Sequence, residues 1–263
     1  MVDKQKTIDK SVTVSGTGLH TGQLGQITMH SAPENHGIKF RRVDIESKPI
    51  IDADINLVVS TDRGTTLSKN GYSLYTIEHL LAAFMGLGVD NVMIDVDMDE
   101  IPIKDGSSIH FINAIKEAGI VEQKANRKYI EITEPISYII PDKNIEMLIE
   151  PAEKFSATVT IDFEAEILGK QIATLDDINK FESEIAPCRT FVFLHELEFL
   201  LKNNLIKGGD LNNAIVFINR AISQEELDNL AELFNKPKVK VKPNGILNNL
   251  DMHFSNEPAR HKL

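Results

Sequence analysis

TIEHLLAAFMGLGVDNVMIDVD, residues 76–97, holds a helix and a strand in one short run. Ile77, Leu80, Leu81 and Phe84 recur at helical spacing, with Thr76 a fitting N-cap and Gly86 and Gly88 expected to end the helix. Then Val92, Ile94 and Val96 alternate with polar residues, as in a half-buried strand. Downstream, PIKDGSS at 102–108 reads as a turn in which Asp105 or Ser107 caps a second helix. That helix runs to about Ala118, with Ile109, Ile112 and Ile115 inward. Upstream, 11–15 and 24–30 read as strands joined by GTGLHTG at 16–22. The spacing of Gly16, Gly18 and Gly22 is wrong for a dinucleotide fingerprint, and no apolar helix follows, so a hairpin-like loop is expected.

The polar stretch EQKANRK at 122–128 is the best domain boundary. Beyond it the pattern restarts, with strands expected near 129–133, 136–140, 145–150 and 156–163 and a helix near 176–185. A helix at 194–204 carries Leu194, Leu197, Leu200 and Leu201, and a capping box from Ser223 to Glu226 opens another at about 224–234. The expectation is an α+β fold of two similar halves, 1–124 and 125–263. Each is a sheet with packed helices, the helices meeting between the sheets.

Composition narrows the function. With 42% apolar residues in 263, the chain can bury a substantial core. A net charge of −11 argues against nucleic acid or an anionic membrane surface as a partner. One cysteine, Cys188, excludes an internal disulfide and any cysteine-rich metal site, and reads as a small buried hydrophobe. The polar segment Met1 to Lys10 lacks a signal-peptide core, and no apolar run is long enough for a transmembrane helix. A cytoplasmic protein is expected.

The adjacent pair Glu78-His79 carries chemical potential, since helical neighbours point about 100° apart and an acid can sit beside a metal held by the histidine. By itself the pair is a weak signal, and an exposed acid next to a hydrogen-bonded histidine is the more common arrangement. The zinc-protease spacing fails at Ala83, and His195 has no partner four residues on, because Phe199 stands there. RHKL at 260–263 sets Lys262 beside His261, a cation next to a potential ligand.

Taken together, GTGLHTG (16–22), TIEHLLAA (76–83), GLGVDN (86–91), PIKDGS (102–107), CRTFVF (188–193), KGGDLNNAIV (207–216) and NEPARHKL (256–263) resemble, block by block, the UDP-3-O-acyl-N-acetylglucosamine deacetylases. The resemblance covers essentially the whole chain. It implies a Zn2+-dependent hydrolase that removes an N-acetyl group from an acylated UDP-sugar in lipid A biosynthesis. It implies His79 and His261 as zinc ligands, Glu78 as general base and Thr190 as oxyanion donor. Lys262, Phe191 and Phe193 are implied at the substrate. It assigns no chemical step to His20, whose expected role is a structural hydrogen bond from its ring. His30, His36, His110, His195 and His253 are expected at the surface or in packing.

The family pattern continues H-K-x-x-D, with a third ligand four residues after the histidine and a later general-acid histidine. Neither is in this sequence, so weak zinc retention and little turnover are expected of the 263 residues. A non-catalytic remnant that binds sugar nucleotide or acyl chain is the alternative, and an unrelated α+β metal hydrolase is a third reading. Some members of the family carry a fused hydroxyacyl-carrier-protein dehydratase, an implied partner.

Overall fold

The structure, a computed structural model, describes residues 3–203 and 205–263. Its elements run β1 (Lys4–Ile8), β2 (Val12–Thr17), β3 (Leu24–Ser31), β4 (Ile38–Arg42), β5 (Ile50–Asp52), β6 (Val58–Ser60), β7 (Thr66–Lys69) and β8 (Tyr72–Leu74), then α1 (Glu78–Leu87), β9 (Val92–Val96), α2 (Ile109–Ala118) and β10 (Ile120–Asn126). There follow β11 (Ile136–Ile140), β12 (Ile145–Ile149), β13 (Ala157–Ile161), β14 (Gln171–Leu175), α3 (Phe181–Glu184), β15 (Phe191–Phe193), α4 (Leu194–Lys202), β16 (Ile215–Phe217), α5 (Gln224–Leu233) and α6 (Glu257–Lys262). The fold is mixed α+β, as the sequence pattern predicts.

Five strands form the main sheet in the order β2-β3-β9-β4-β5, with β4 and β9 parallel and the other pairs antiparallel. Period-2 alternation puts Val12, Met29, Ile94, Phe40 and Ile51 side by side across all five strands. Four of these are completely buried, and each fully buried chain of this size contributes about 1.5–3 kcal/mol. Helices α1 and α2 pack against each other, with Leu80, Phe84, Phe111, Ile112 and Ile115 in the same core. That core also takes Leu175, Phe181, Ile185 and Ala186 from the second half. β10, which pairs with β1, carries the chain across residue 124.

The helix start differs from expectation. Thr76 is no N-cap: α1 begins after Ile77 without a side-chain cap, and the Thr76 hydroxyl donates to Glu100 instead. Gly86 lies inside the helix, where a Cβ would collide with the Phe181 ring, and Gly88 alone closes it at φ 66°. At the second helix, Asp105 accepts from the Ser107 N–H and hydroxyl, and so shapes the turn before the N-cap Ser108.

The second half is built of pairs: hairpins β11–β12 and β13–β14, and the parallel pair β15–β16. No strand forms at 129–133, where Tyr129 and Ile130 lie open to solvent with no partner to pair them. The helix expected over 176–185 is a 3-10 turn, Ile178–Lys180, capped by Asp177 through the Asn179 N–H and followed by one α turn. Half of the expected capping box forms: the Ser223 hydroxyl accepts the Glu226 N–H, while the Glu226 carboxylate turns to Arg220. The expected end of α4 at residue 204 and the inward side chain of Leu201 lie outside the described residues, as do Met1 and Val2 of the polar amino terminus. In the β11–β12 hairpin, Ile136, Tyr138 and Ile140 face Ile149, Met147 and Ile145, so one side of it is wholly apolar. No helix among the described residues is long and apolar enough to cross a membrane.

Candidate active site

Glu78 and His79 occupy the first turn of α1. Glu78 is half-buried, and its Oε2 accepts the Thr65 backbone N–H at 2.9 Å. Burial raises its pKa above the usual carboxylate range, while the Thr65 amide and the nearby His20 and Lys262 hold back part of that rise. His79 is buried, and desolvation pushes its pKa down to about 4.

His261 comes from the other end of the chain. α6 presents it after Pro258 fixes the first turn, and Glu257 anchors that turn to the Arg189 backbone N–H and guanidinium. The His261 Nδ1 lies 3.1 Å from the Cys188 carbonyl. A carbonyl only accepts, so Nδ1 carries the proton and Nε2 keeps a free lone pair. Burial, with the neighbouring His79 second, pushes its pKa down to about 3. Both rings are therefore uncharged near neutral pH. They meet edge to face, with centroids 5.2 Å apart and planes at 85°.

The pair opens onto a cavity of about 930 Å³ whose walls include Glu78, Thr190, Phe191, Phe193 and Lys262. Thr190 is fixed by its backbone, its N–H donating to Gly106 at 2.8 Å and its carbonyl accepting from Ile215 at 2.9 Å. Phe191 and Phe193 pack edge to face with each other and with Phe163, and the Lys262 ammonium lies 5.7 Å above the Phe191 ring. Every residue that the sequence singled out for the site thus lines one space. His20, Arg63 and Thr65 line it too; sequence reading gave Arg63 and Thr65 no role, and the hydrogen bond expected from the His20 ring is replaced by main-chain bonds, its N–H donating to Glu100 and its carbonyl accepting from Lys207. His195 stands exposed at the cavity, stacked on Phe193 and bonded through Nδ1 to Asn219. GTGLHTG was the signal for His20; nothing in the letters marks Thr65, which acts through its main chain.

Two neutral imidazole nitrogens and a nearby carboxylate suit a borderline-soft divalent cation. Among the described residues no group of three or more His, Cys, Asp or Glu side chains is placed to hold a metal.

The family model described as LpxC, UDP-3-O-acyl N-acetylglycosamine deacetylase, matches residues 5–235. The chain belongs to this family. The family match stops before α6, but pairwise similarity continues through it. The bifunctional enzyme LpxC/FabZ of Porphyromonas gingivalis is 43% identical over 262 residues, which is 100% of this chain and 57% of that protein. The UDP-3-O-acyl-N-acetylglucosamine deacetylase of Saccharophagus degradans is 41% identical over 239 residues, 90% of this chain and 78% of the relative. That of Neisseria gonorrhoeae is 38% identical over 218 residues, 81% and 70% respectively. The chain therefore spans a little over half the length of the bifunctional LpxC/FabZ relatives it matches.

Proposed function

We propose that this chain carries the site for zinc-dependent hydrolysis of the N-acetyl group of UDP-3-O-(3-hydroxyacyl)-N-acetylglucosamine, the deacetylation of lipid A biosynthesis. The supporting observation is the meeting of His79 and His261 with Glu78 at one cavity. We read 1–124, with Glu78 and His79, and 125–263, with Thr190, His261 and Lys262, as two units that share this site. Longer members of the family that are LpxC/FabZ fusions make a hydroxyacyl-carrier-protein dehydratase the expected partner activity.

His79 and the Nε2 of His261 would hold the ion, and the Cys188 carbonyl keeps the second ring in the ligating tautomer. A bound zinc supplies Lewis acidity, which polarises the acetamide carbonyl and acidifies water. Glu78, its proton affinity raised by burial, takes the proton of the attacking water as the new C–O bond forms. The Thr190 hydroxyl donates to the oxygen on which negative charge develops. When the C–N bond breaks, the proton collected by Glu78 is the one the leaving amine needs, so acetate and free amine result. Lys262 offsets substrate anionic charge locally in an acidic protein, and Phe191 and Phe193 form an apolar wall for the acyl chain.

A second reading, a binding remnant without turnover, is favoured by one observation: only two imidazoles converge among the described residues. We accordingly expect the 263-residue chain to retain zinc weakly, since catalytic zinc sites normally have three protein ligands. Acetate release from the acylated UDP-sugar, assayed with excess zinc, tests the hydrolase. Release that Glu78→Gln lowers by about a hundredfold or more supports it. Binding of the UDP-sugar with no acetate at any zinc concentration supports the remnant.

A further inference from the structure

Below the cavity sits a carboxylate that the proposed chemistry does not use. Glu100 is completely buried, and its partners are amides and hydroxyls. It accepts the His20 N–H at 3.0 and 3.1 Å on its two oxygens, the Thr21 N–H at 2.9 Å and the Thr21 hydroxyl at 2.8 Å. The Thr76 hydroxyl donates to it at 3.0 Å. One side chain therefore ties together two segments far apart in sequence. It does not line the cavity itself.

Each tied segment leads straight to the site. Thr76 holds φ at 59°, a left-handed conformation that β-branched residues avoid, and Glu78 and His79 follow at once. Its neighbour Tyr75 bridges to the segment around Glu100, the Tyr75 N–H donating to the Asp99 carbonyl at 2.8 Å and the Ile101 N–H to the Tyr75 carbonyl at 3.0 Å. An unfavourable backbone state persists only when its surroundings over-determine it, and the Glu100 bond is one of those constraints.

On the other side, Leu19 and His20 form part of the cavity wall. Their loop is gripped from two directions. Gly208 and Lys207 donate backbone N–H groups to the Leu19 and His20 carbonyls at 3.1 and 3.3 Å, while Glu100 holds the amides. A Cβ on Gly18 would strike the Glu100 carboxylate, and one on Gly208 would strike the Gly18 carbonyl. The loop has no slack.

We propose that Glu100 is a positioning residue, which pins the His20 loop and the strained Thr76 turn at one point so that Glu78 and His79 face the cavity in a single arrangement. It acts through these groups and touches no substrate. The proposal deepens the deacetylase reading and rests on it for its catalytic consequence, though not for the clamp itself.

The test compares the 263-residue chain with Glu100→Gln, Thr76→Val and Thr76→Ser by amide NMR, hydrogen exchange, far-UV circular dichroism and acetate release. In Glu100→Gln, the His20 and Thr21 amides are expected to exchange about tenfold faster or more, since a weaker acceptor replaces a charged one. The Glu78 and His79 amide signals should move with them, and kcat should fall by about tenfold or more with KM changed far less, as misplacement predicts. Thr76→Val should reproduce the movement at Glu78 and His79, and Thr76→Ser, which keeps the hydroxyl, should restore it. Glu78 and His79 signals unchanged in folded Glu100→Gln would overturn the proposal, as would equal behaviour of Val and Ser at position 76. If Glu100→Gln does not fold, the Thr76 pair decides, because it leaves the carboxylate in place. A parent chain that releases no acetate sinks the hydrolase reading alone, and the amide signals still judge the clamp.

Discussion

The Arg189 guanidinium and the Glu257 carboxylate meet away from solvent, with Nε 2.9 Å from Oε1, and join the segment carrying Thr190 to the helix carrying His261. Glu257 is fully buried, and its oxygens also accept the backbone N–H groups of Arg189 and His253. A buried pair contributes little net stability but is costly to halve, because the survivor is left as an unpaired charge. Glu257→Gln or Arg189→Met should therefore lower the unfolding free energy by about 3–5 kcal/mol. The double change Arg189→Met with Glu257→Leu should cost less than either. Urea unfolding followed by circular dichroism measures all three, and a double variant worse than both singles would refute the account.

The two histidines should act as one metal-binding unit. His79→Ala and His261→Ala are each expected to weaken zinc binding by roughly tenfold or more, read by competition with a chromogenic chelator. His195→Ala, whose Nδ1 is already bonded to Asn219, should leave zinc affinity unchanged. Equal effects at all three positions would mean that binding is nonspecific.

Cys188 should be silent to thiol reagents. Burial first, and the neighbouring Glu257 second, push its thiol up to about 12, so hardly any thiolate exists at pH 8. Alkylation of the folded chain should be slower than that of the unfolded chain by on the order of a hundredfold or more. Rapid labelling under native conditions would show the 185–190 segment to be open.

Acid should weaken the outer edge of the main sheet. Asp52 on β5 accepts Lys39 of β4 at 2.8 Å and Lys69 of β7 at 2.5 Å, and these cations hold its carboxyl down at about 2 against an ordinary 3.8. A depressed acid stabilises the fold above its unfolded value, and that contribution is lost as pH falls from about 4 to about 2. Asp52 is nearly a third exposed and hence screened, so Asp52→Asn should cost only about 0.5–1 kcal/mol at pH 7. The difference from the parent in urea unfolding should vanish near pH 2; a constant difference at both pH values would rule out the ion-pair explanation.

Local patterns carried much of the fold. The α1 core positions, the alternation in β9 and the Ser223 N-cap of α5 are short-range codes, and each appears where the letters place it. What failed depended on distant partners. The Thr76 hydroxyl leaves its own helix because Glu100 lies beneath it, and Gly86 is set by a ring from position 181. Tyr129 and Ile130 favour strands by type, yet among the described residues no neighbouring strand receives them. At the site, Glu78, His79 and His261 were legible only through family motifs. The Thr65 amide and the Cys188 carbonyl, which orient two of them, are main-chain groups and leave no trace in residue type.

The edge-to-face meeting of His79 and His261 has a consequence for biosynthesis. On a ribosome, the first ring emerges long before the second is translated, and the packing between them needs both. No chain that stops short of His261 can assemble the pair, so an ion that needed both rings would find no complete site on the nascent polypeptide before that residue emerges. The meeting of the two rings would then report that α1 and α6 have come together.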